Sequence, residues 1–395
     1  MLLALLSGFA LSQAYRTVTA IVAPGLQQDF GLSTQSLGAF AGLFGLSFGL
    51  AQLLMGIALD RYGLRPVVLA TAPLSIAGAT LSALAPSHGW LMVGQLLIGV
   101  GCSPALLVCT LFVARHFPAD RFSFFSGLCL GLGGLGLLFT GTPLAWVVQH
   151  WGWRTGFAIL AVLSALSWLL IFAMVHEPRA PDAPPRARES WGQALRGFAA
   201  LFTLPHTWGI LVLGMSCYAA FLSLRGLWLG PLLIDRFGFT LIDSGNVALV
   251  LSVISLFAPG SFGRMDPGPL RRRGWVANAS LLMAAMFAVM AVLQHAGATV
   301  ALMLLLGMLW GFSVLQYADV RASYPSELTG RALSLFTMAM FLGVALMQSA
   351  TGVVAGWAAS AGIEPYRAVL FTIAGWVALA SMAFRFLPAS PLLRR

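Results

Sequence analysis

Apolar stretches of about twenty residues, parted by short polar turns, recur along the whole chain. They fall at 3–25, 35–58, 67–86, 90–114, 123–147, 156–175, 207–231, 244–263, 275–294, 299–320, 332–354 and 367–387. A helix needs about twenty apolar residues to cross roughly 30 Å of hydrocarbon. Strict apolar/polar alternation, the mark of a membrane β-barrel, is missing from these stretches. The pattern therefore predicts an all-α integral membrane protein with twelve transmembrane helices. Composition agrees, with 59% hydrophobic and 9% charged residues, far from a soluble average.

The one long polar interval divides the spans six and six. From His176 it runs through Glu177-Pro178-Arg179-Ala180-Pro181 to Pro184-Pro185, too rich in proline for a regular helix. Trp191, Leu195, Phe198 and Phe202 then follow at i, i+4, i+7 and i+11, predicting a short amphipathic helix at the membrane surface. The expected organisation is an N-terminal bundle over 1–175, a cytoplasmic linker over 176–205 and a C-terminal bundle over 206–395. The halves echo each other: Pro24…Phe30-Gly31 and Pro231…Phe237-Gly238 align at an offset of 207. Such internal repeats are a transporter signature.

All 22 basic residues are arginine. Seventeen fall on the side of the turn around Asp60 and three on the other, with two more inside spans. The positive-inside rule then places that turn and both termini in the cytoplasm, in the inner membrane of a bacterial cell. The net charge of +10 reflects topology, and nucleic-acid binding is excluded for want of a basic domain outside the membrane. Cys102, Cys109, Cys129 and Cys217 lie within predicted helices and read as packing residues. The six histidines form no metal-spaced cluster, and no nucleotide loop or nucleophile elbow occurs. No enzyme activity, cofactor or metal is expected. The first run ends in Ala23-Pro24-Gly25-Leu26 without a small-x-small cleavage site, so no cleavable signal is expected. The chain begins almost directly on a helix, which leaves a start codon further upstream open.

Between the second and third spans stands Gly56-Ile57-Ala58-Leu59-Asp60-Arg61-Tyr62-Gly63-Leu64-Arg65. Its glycines suit helix ends that meet closely, and its charges suit a lock that breaks when helices move. Gly260, Gly263, Arg264, Asp266 and Arg271–Arg273 form a degenerate second copy. The motif resembles the loop between the second and third helices of the major facilitator superfamily, with Leu64 in place of a usual basic residue. Gly99-x-Gly101 resembles the family's helix-four motif, with Gln95 at the usual arginine position. Gly127, Gly131, Gly133, Gly134 and Gly136 followed by Gly141-Thr142-Pro143 resemble its helix-five motif, and Gly152-Trp153-Arg154 its turn before helix six. The resemblance implies two pseudo-symmetric six-helix bundles rocking about a central cavity, with Gly56, Asp60, Arg61, Gly63 and Arg65 governing the conformational change.

Two charges stand inside spans. Arg16 is near the middle of the first, and Arg225 lies at nearly equivalent depth in the seventh. A central arginine costs about 2.5–3.5 kcal/mol to insert, which favours a cavity or a partner. Two planar guanidiniums with no nearby helix-buried carboxylate point to a small anion, most simply a carboxylate. Each could instead snorkel or bond backbone carbonyls. Tyr15, Trp228 and Gln316 are further candidates for the binding site. Tyr15-Arg16-Thr17 and Asp29-Phe30-Gly31-Leu32-Ser33 resemble the organic-anion branch, and more loosely the nitrate/nitrite-porter-like branch. The nitrate porters' anion-holding arginines in helices two and eight have no counterparts here.

The expectation is a monomeric secondary carrier for a small organic anion, in contact with membrane lipid. Proton coupling or anion exchange are both open modes. The alternatives are a drug or metabolite exporter on the same fold, a membrane enzyme, or a non-transporting receptor.

Overall fold

The computed structural model describes residues 1–117, 128, 129, 131–176 and 191–394. Gly127, the proline-rich linker segment and the side chains of Asp60, Trp191 and Leu195 lie outside the described residues. Ten helical runs among the described residues are long and apolar enough to cross a membrane. One of them, Gly131–Met174, is two spans meeting at Gly152, where φ is 80° and ψ 166°. The first predicted span is a pair of shorter helices, Leu2–Thr17 and Thr19–Phe30. Among the described residues, helices thus stand at all twelve expected spans, numbered here 1 to 12 in chain order, the fifth described from Gly131 onward.

The repeat is written into the backbone. Six glycines have positive φ, and they form three pairs: Gly31 with Gly238, Gly63 with Gly268, and Gly152 with Gly362. At each of these turns a side chain would be strained, so glycine ends one span and admits the next. The side chains around the turns repeat as well. Arg65, opening span 3, donates to the Phe172 carbonyl at 3.1 Å and lies over the Phe172 ring, tying spans 3 and 6. Arg273, opening span 9, donates to the carbonyls of Phe384 and Leu387 and lies over the Phe384 ring, tying spans 9 and 12.

At the opposite face the pattern repeats with its charges exchanged. Asp29, ending span 1, accepts from Trp153 at 2.9 Å and pairs with Arg154 at 2.5 Å, both opening span 6. In the second half the arginine is on the earlier span: Arg236, ending span 7, pairs with Glu364 before span 12 at 3.2 Å. It also donates to the carbonyls of Met290 and Ala291, which end span 9. The donors from Arg154 and then Trp153 hold the Asp29 carboxyl below the usual carboxylate range. This exposed clip persists at neutral pH and is lost only as acid protonates the group.

Glycines also set the contact between the halves. Gly38, Gly42, Gly45 and Gly49 lie on one face of span 2, Thr34–Tyr62, against span 11, Ser326–Ser360. A Cβ on Gly38, Gly42, Gly45, Gly49 and Gly56 would meet span 11 at 2.5, 2.7, 2.9, 3.2 and 3.9 Å in turn. The two spans therefore touch backbone to backbone at the Gly31 face and diverge steadily toward the Gly63 face. Spans 1 and 7 also meet closely: a Cβ on Gly226 would lie 2.7 Å from the Arg16 carbonyl, and Gly230 abuts the carbonyl of Ala20. Pro24 has no N–H to offer that carbonyl, which leaves it free to face the glycine. The linker helix, Trp191–Leu201, buries Phe198 and Leu201 and packs Gly197 against the Arg331 guanidinium on span 11.

Candidate functional site

Arg16 sits where the halves meet, in a sleeve of rings. Its guanidinium carbon lies 5.0 Å from the Phe48 ring centre, 4.9 Å from that of Phe341 and 6.0 Å from that of Phe9. Phe9 and Phe48 belong to the first half and Phe341 to the second. Nη1 donates to the Tyr218 hydroxyl at 3.2 Å and Nη2 to Ser12 Oγ at 3.3 Å. Nε is buried without a partner. Charge-assisted hydrogen bonds normally run about 2.7–2.9 Å, so these two hydroxyls hold the cation loosely. Among the described residues no carboxylate pairs with it. Ring faces offer a cation some compensation, yet less than an anion would. Arg16, Tyr218, Trp310 and Tyr317 are each half-buried, although their neighbours are largely sealed.

The second arginine departs from expectation. Arg225 is fully buried, on a π-helical turn over Leu224–Trp228. Its Nε donates to Ser252 Oγ at 3.0 Å on span 8, and its Nη2 to the carbonyls of Leu137 and Thr140 at 3.0 and 3.3 Å on span 5. The span-5 helix breaks at Thr140 and Gly141, which frees these carbonyls. The expectation of two guanidiniums facing one cavity is corrected accordingly: Arg225 ties the second half to the first. Arg225→Ala should lower the melting temperature of ligand-free protein, because it leaves a buried gap and takes the guanidinium donors from Ser252 Oγ and the Leu137 and Thr140 carbonyls. A buried acceptor left without a partner costs about 1–3 kcal/mol. An unchanged melting curve would remove this structural role.

The remaining candidates disperse. Tyr15 turns into the first half, its hydroxyl 2.9 Å from Ser164 Oγ. Trp228 donates to Thr351 at 2.9 Å and stands edge-on to Tyr366, within the second half. Gln316 is buried with Nε2 unpartnered. Asp319 is buried with Oδ1 unpartnered, while Arg321, two residues on, is exposed. In the Gly56–Arg65 loop, Arg61 is exposed beside Tyr62, and Arg65 bonds only within its own half. Among the described residues neither bonds across to the second half, which fits the looser seam at Gly56.

Sequence reasoning singles out Tyr218 in span 7 as a cavity candidate but misses two rings that give Arg16 its setting, Phe48 and Phe341. Nothing distinguishes these two rings among 27 phenylalanines. The glycine face of span 2 was available to it, since Gly38, Gly42, Gly45 and Gly49 recur at helical spacing.

Comparison with known proteins gives this geometry a family. Solved structures match almost end to end: a D-xylose–proton symporter (TM-score 0.72, 15% identity, 99% of this chain and 98% of that one). The nucleoside transporter NupG also matches (TM-score 0.74, 18% identity, 97% of each chain). At such identity the likeness is one of fold. Sequence relatives include the gallate transporter of Pseudomonas putida, 33% identical over 169 residues, 39% of this chain and 35% of that protein. A probable sulfoacetate transporter of Cupriavidus necator is 26% identical over 181 residues, 46% and 41% of the two chains. The mouse solute carrier family 2, facilitated glucose transporter member 10, is 30% identical over 199 residues, 47% and 36%. The matched stretches span about a third to two-fifths of the length of these relatives. The family profile described as Major Facilitator Superfamily aligns with residues 5–348, and with the twelve-span fold it shows that the chain belongs to that superfamily.

Proposed function

We propose that this transporter is a secondary carrier of a small organic anion, with Arg16 holding the substrate's carboxylate. One observation carries the reading: a guanidinium at the junction of the halves whose recorded acceptors are two hydroxyls at 3.2 and 3.3 Å. An incoming carboxylate supplies the bidentate acceptor that this fork lacks. Gallate, sulfoacetate and niacin, named for transporters similar to this chain, each carry an acidic group. The seam of spans 2 and 11, tightest at the Gly38 end and in looser contact at Gly56, supports alternating access. Residues 1–175 and 206–395 act as the two rocking units, joined by the linker over 176–205. A proton entering on the substrate or anion exchange would each supply the driving force.

Uptake of labelled carboxylates into proteoliposomes, alongside thermal-shift measurements with carboxylates, inorganic anions and drugs, tests the reading. At a hundred times its dissociation constant a ligand stabilises by about 2.7 kcal/mol. Shifts given by neutral or cationic drugs alone would replace this reading with the exporter.

The arginine asymmetry supports a topology with the Gly63 face and both termini in the cytoplasm, and we take the membrane to be an inner one. The looser end of the span 2–span 11 seam then faces inward. Reporter fusions near Arg186 and at the C-terminus should read cytoplasm, and one at Ser360 the outside. An external C-terminus would overturn this topology.

A further inference from the structure

Resting on the Arg16 reading, we infer that the site selects an aryl monocarboxylate, a planar aromatic acid with few hydroxyls, over sugar acids and inorganic anions. The groups around the guanidinium are rings. Phe48 and Phe341 pack against each other with centres 3.9 Å apart and planes tilted by 30°, one from each half. Tyr218 stands 5.2 Å from Phe341 and 5.5 Å from Trp310, and Phe221 lies parallel to Trp310 at 5.1 Å. The polar atoms touching the guanidinium are the hydroxyls of Tyr218 and Ser12.

A sugar acid brings several hydroxyls, and each one buried without a partner is penalised. An aromatic acid brings one carboxylate for the fork and a flat apolar body for the rings. Carboxylate and guanidinium lie coplanar in a bidentate pair, so the attached aromatic ring extends in that plane and presents both faces to its neighbours.

The placement of the rings adds a second consequence. The contact of Phe48 with Phe341 joins span 2 to span 11, across the seam that widens toward Gly56. A planar ring entering between them replaces one ring contact by two and sets the spacing of the halves. Occupancy is thereby tied to the rocking motion, which a small aliphatic acid cannot do.

The test uses the full chain in nanodiscs with benzoate, gluconate and sulfate as probes, read by thermal shift and titration. Benzoate should bind at least tenfold more tightly than gluconate or sulfate. Phe341→Leu keeps an apolar side chain but removes the ring, and should weaken benzoate about three- to tenfold, a larger loss than it causes for gluconate. If Phe341→Leu fails to fold, Trp310→Leu, at a half-buried position, serves the same comparison. Gluconate or sulfate binding as tightly as benzoate, with Arg16 still required, overturns the aromatic selection and leaves the anion reading standing. Failure of every anion, with drugs binding, overturns both.

Discussion

Arg16→Ala is expected to abolish carboxylate uptake and the ligand-dependent thermal shift together. Removing a charge-assisted hydrogen bond at a buried site costs about 1.5–3 kcal/mol, a ten- to hundredfold loss of affinity. Arg16→Lys should fail nearly as badly. An ammonium keeps the charge and can rest against Phe48 and Phe341, but it cannot offer two parallel donors to one carboxylate. The ligand-free protein should remain folded in both variants, because the wild-type cation is held only by two long hydroxyl contacts and ring faces. Normal uptake by Arg16→Ala would show that Arg16 is structural, as Arg225 is. A variant that binds but does not transport would instead give Arg16 a role in the rocking step.

The contrast between these two arginines shows where the sequence stops informing. Depth along a helix was legible: both residues were placed within spans by counting from Pro24 and Pro231. Direction was not. A π-helical turn at Leu224–Trp228 rotates span 7 locally, and a break at Thr140 exposes carbonyls that no pattern of side chains announces. Arg225 therefore found backbone acceptors on another helix, while Arg16, on span 1, found rings. The spans themselves were legible because a bilayer demands long apolar helices wherever the chain crosses. The repeat was legible at Gly31 and Gly238 because a positive φ fixes the residue type. The Arg65 and Arg273 clips escaped notice, since each ends on a carbonyl in a distant span. The exchanged charges of the Asp29–Arg154 and Arg236–Glu364 clips explain why residue-by-residue alignment of the halves hides them.

Gly38→Ala and Gly56→Ala are expected to push the carrier in opposite directions. At Gly38 a methyl group would lie 2.5 Å from the Gln348 carbonyl and 2.9 Å from the Gly352 Cα, both backbone atoms that cannot turn aside. Overpacking of this kind costs about 1–3 kcal/mol. Here it falls only on conformations in which spans 2 and 11 touch at that end, so the population moves toward the state opened at the Gly31 face. A shift of that size changes the ratio of two states about five- to 150-fold. At Gly56 a methyl group meets only Ser334 Oγ at 3.9 Å, so the conformation described here accepts it unchanged. The opposite state must bring that end of span 2 against span 11, and there the methyl is in the way. Both variants should slow turnover, since each cycle visits both states. They separate in labelling. With Ser349→Cys as reporter in span 11, facing Gly42, and the native cysteines buried, an impermeant thiol reagent added outside should react faster in Gly38→Ala and more slowly in Gly56→Ala than in the parent. Equal labelling in the two variants would mean that the graded seam is a packing feature of a rigid bundle, and that the halves exchange access by some other motion.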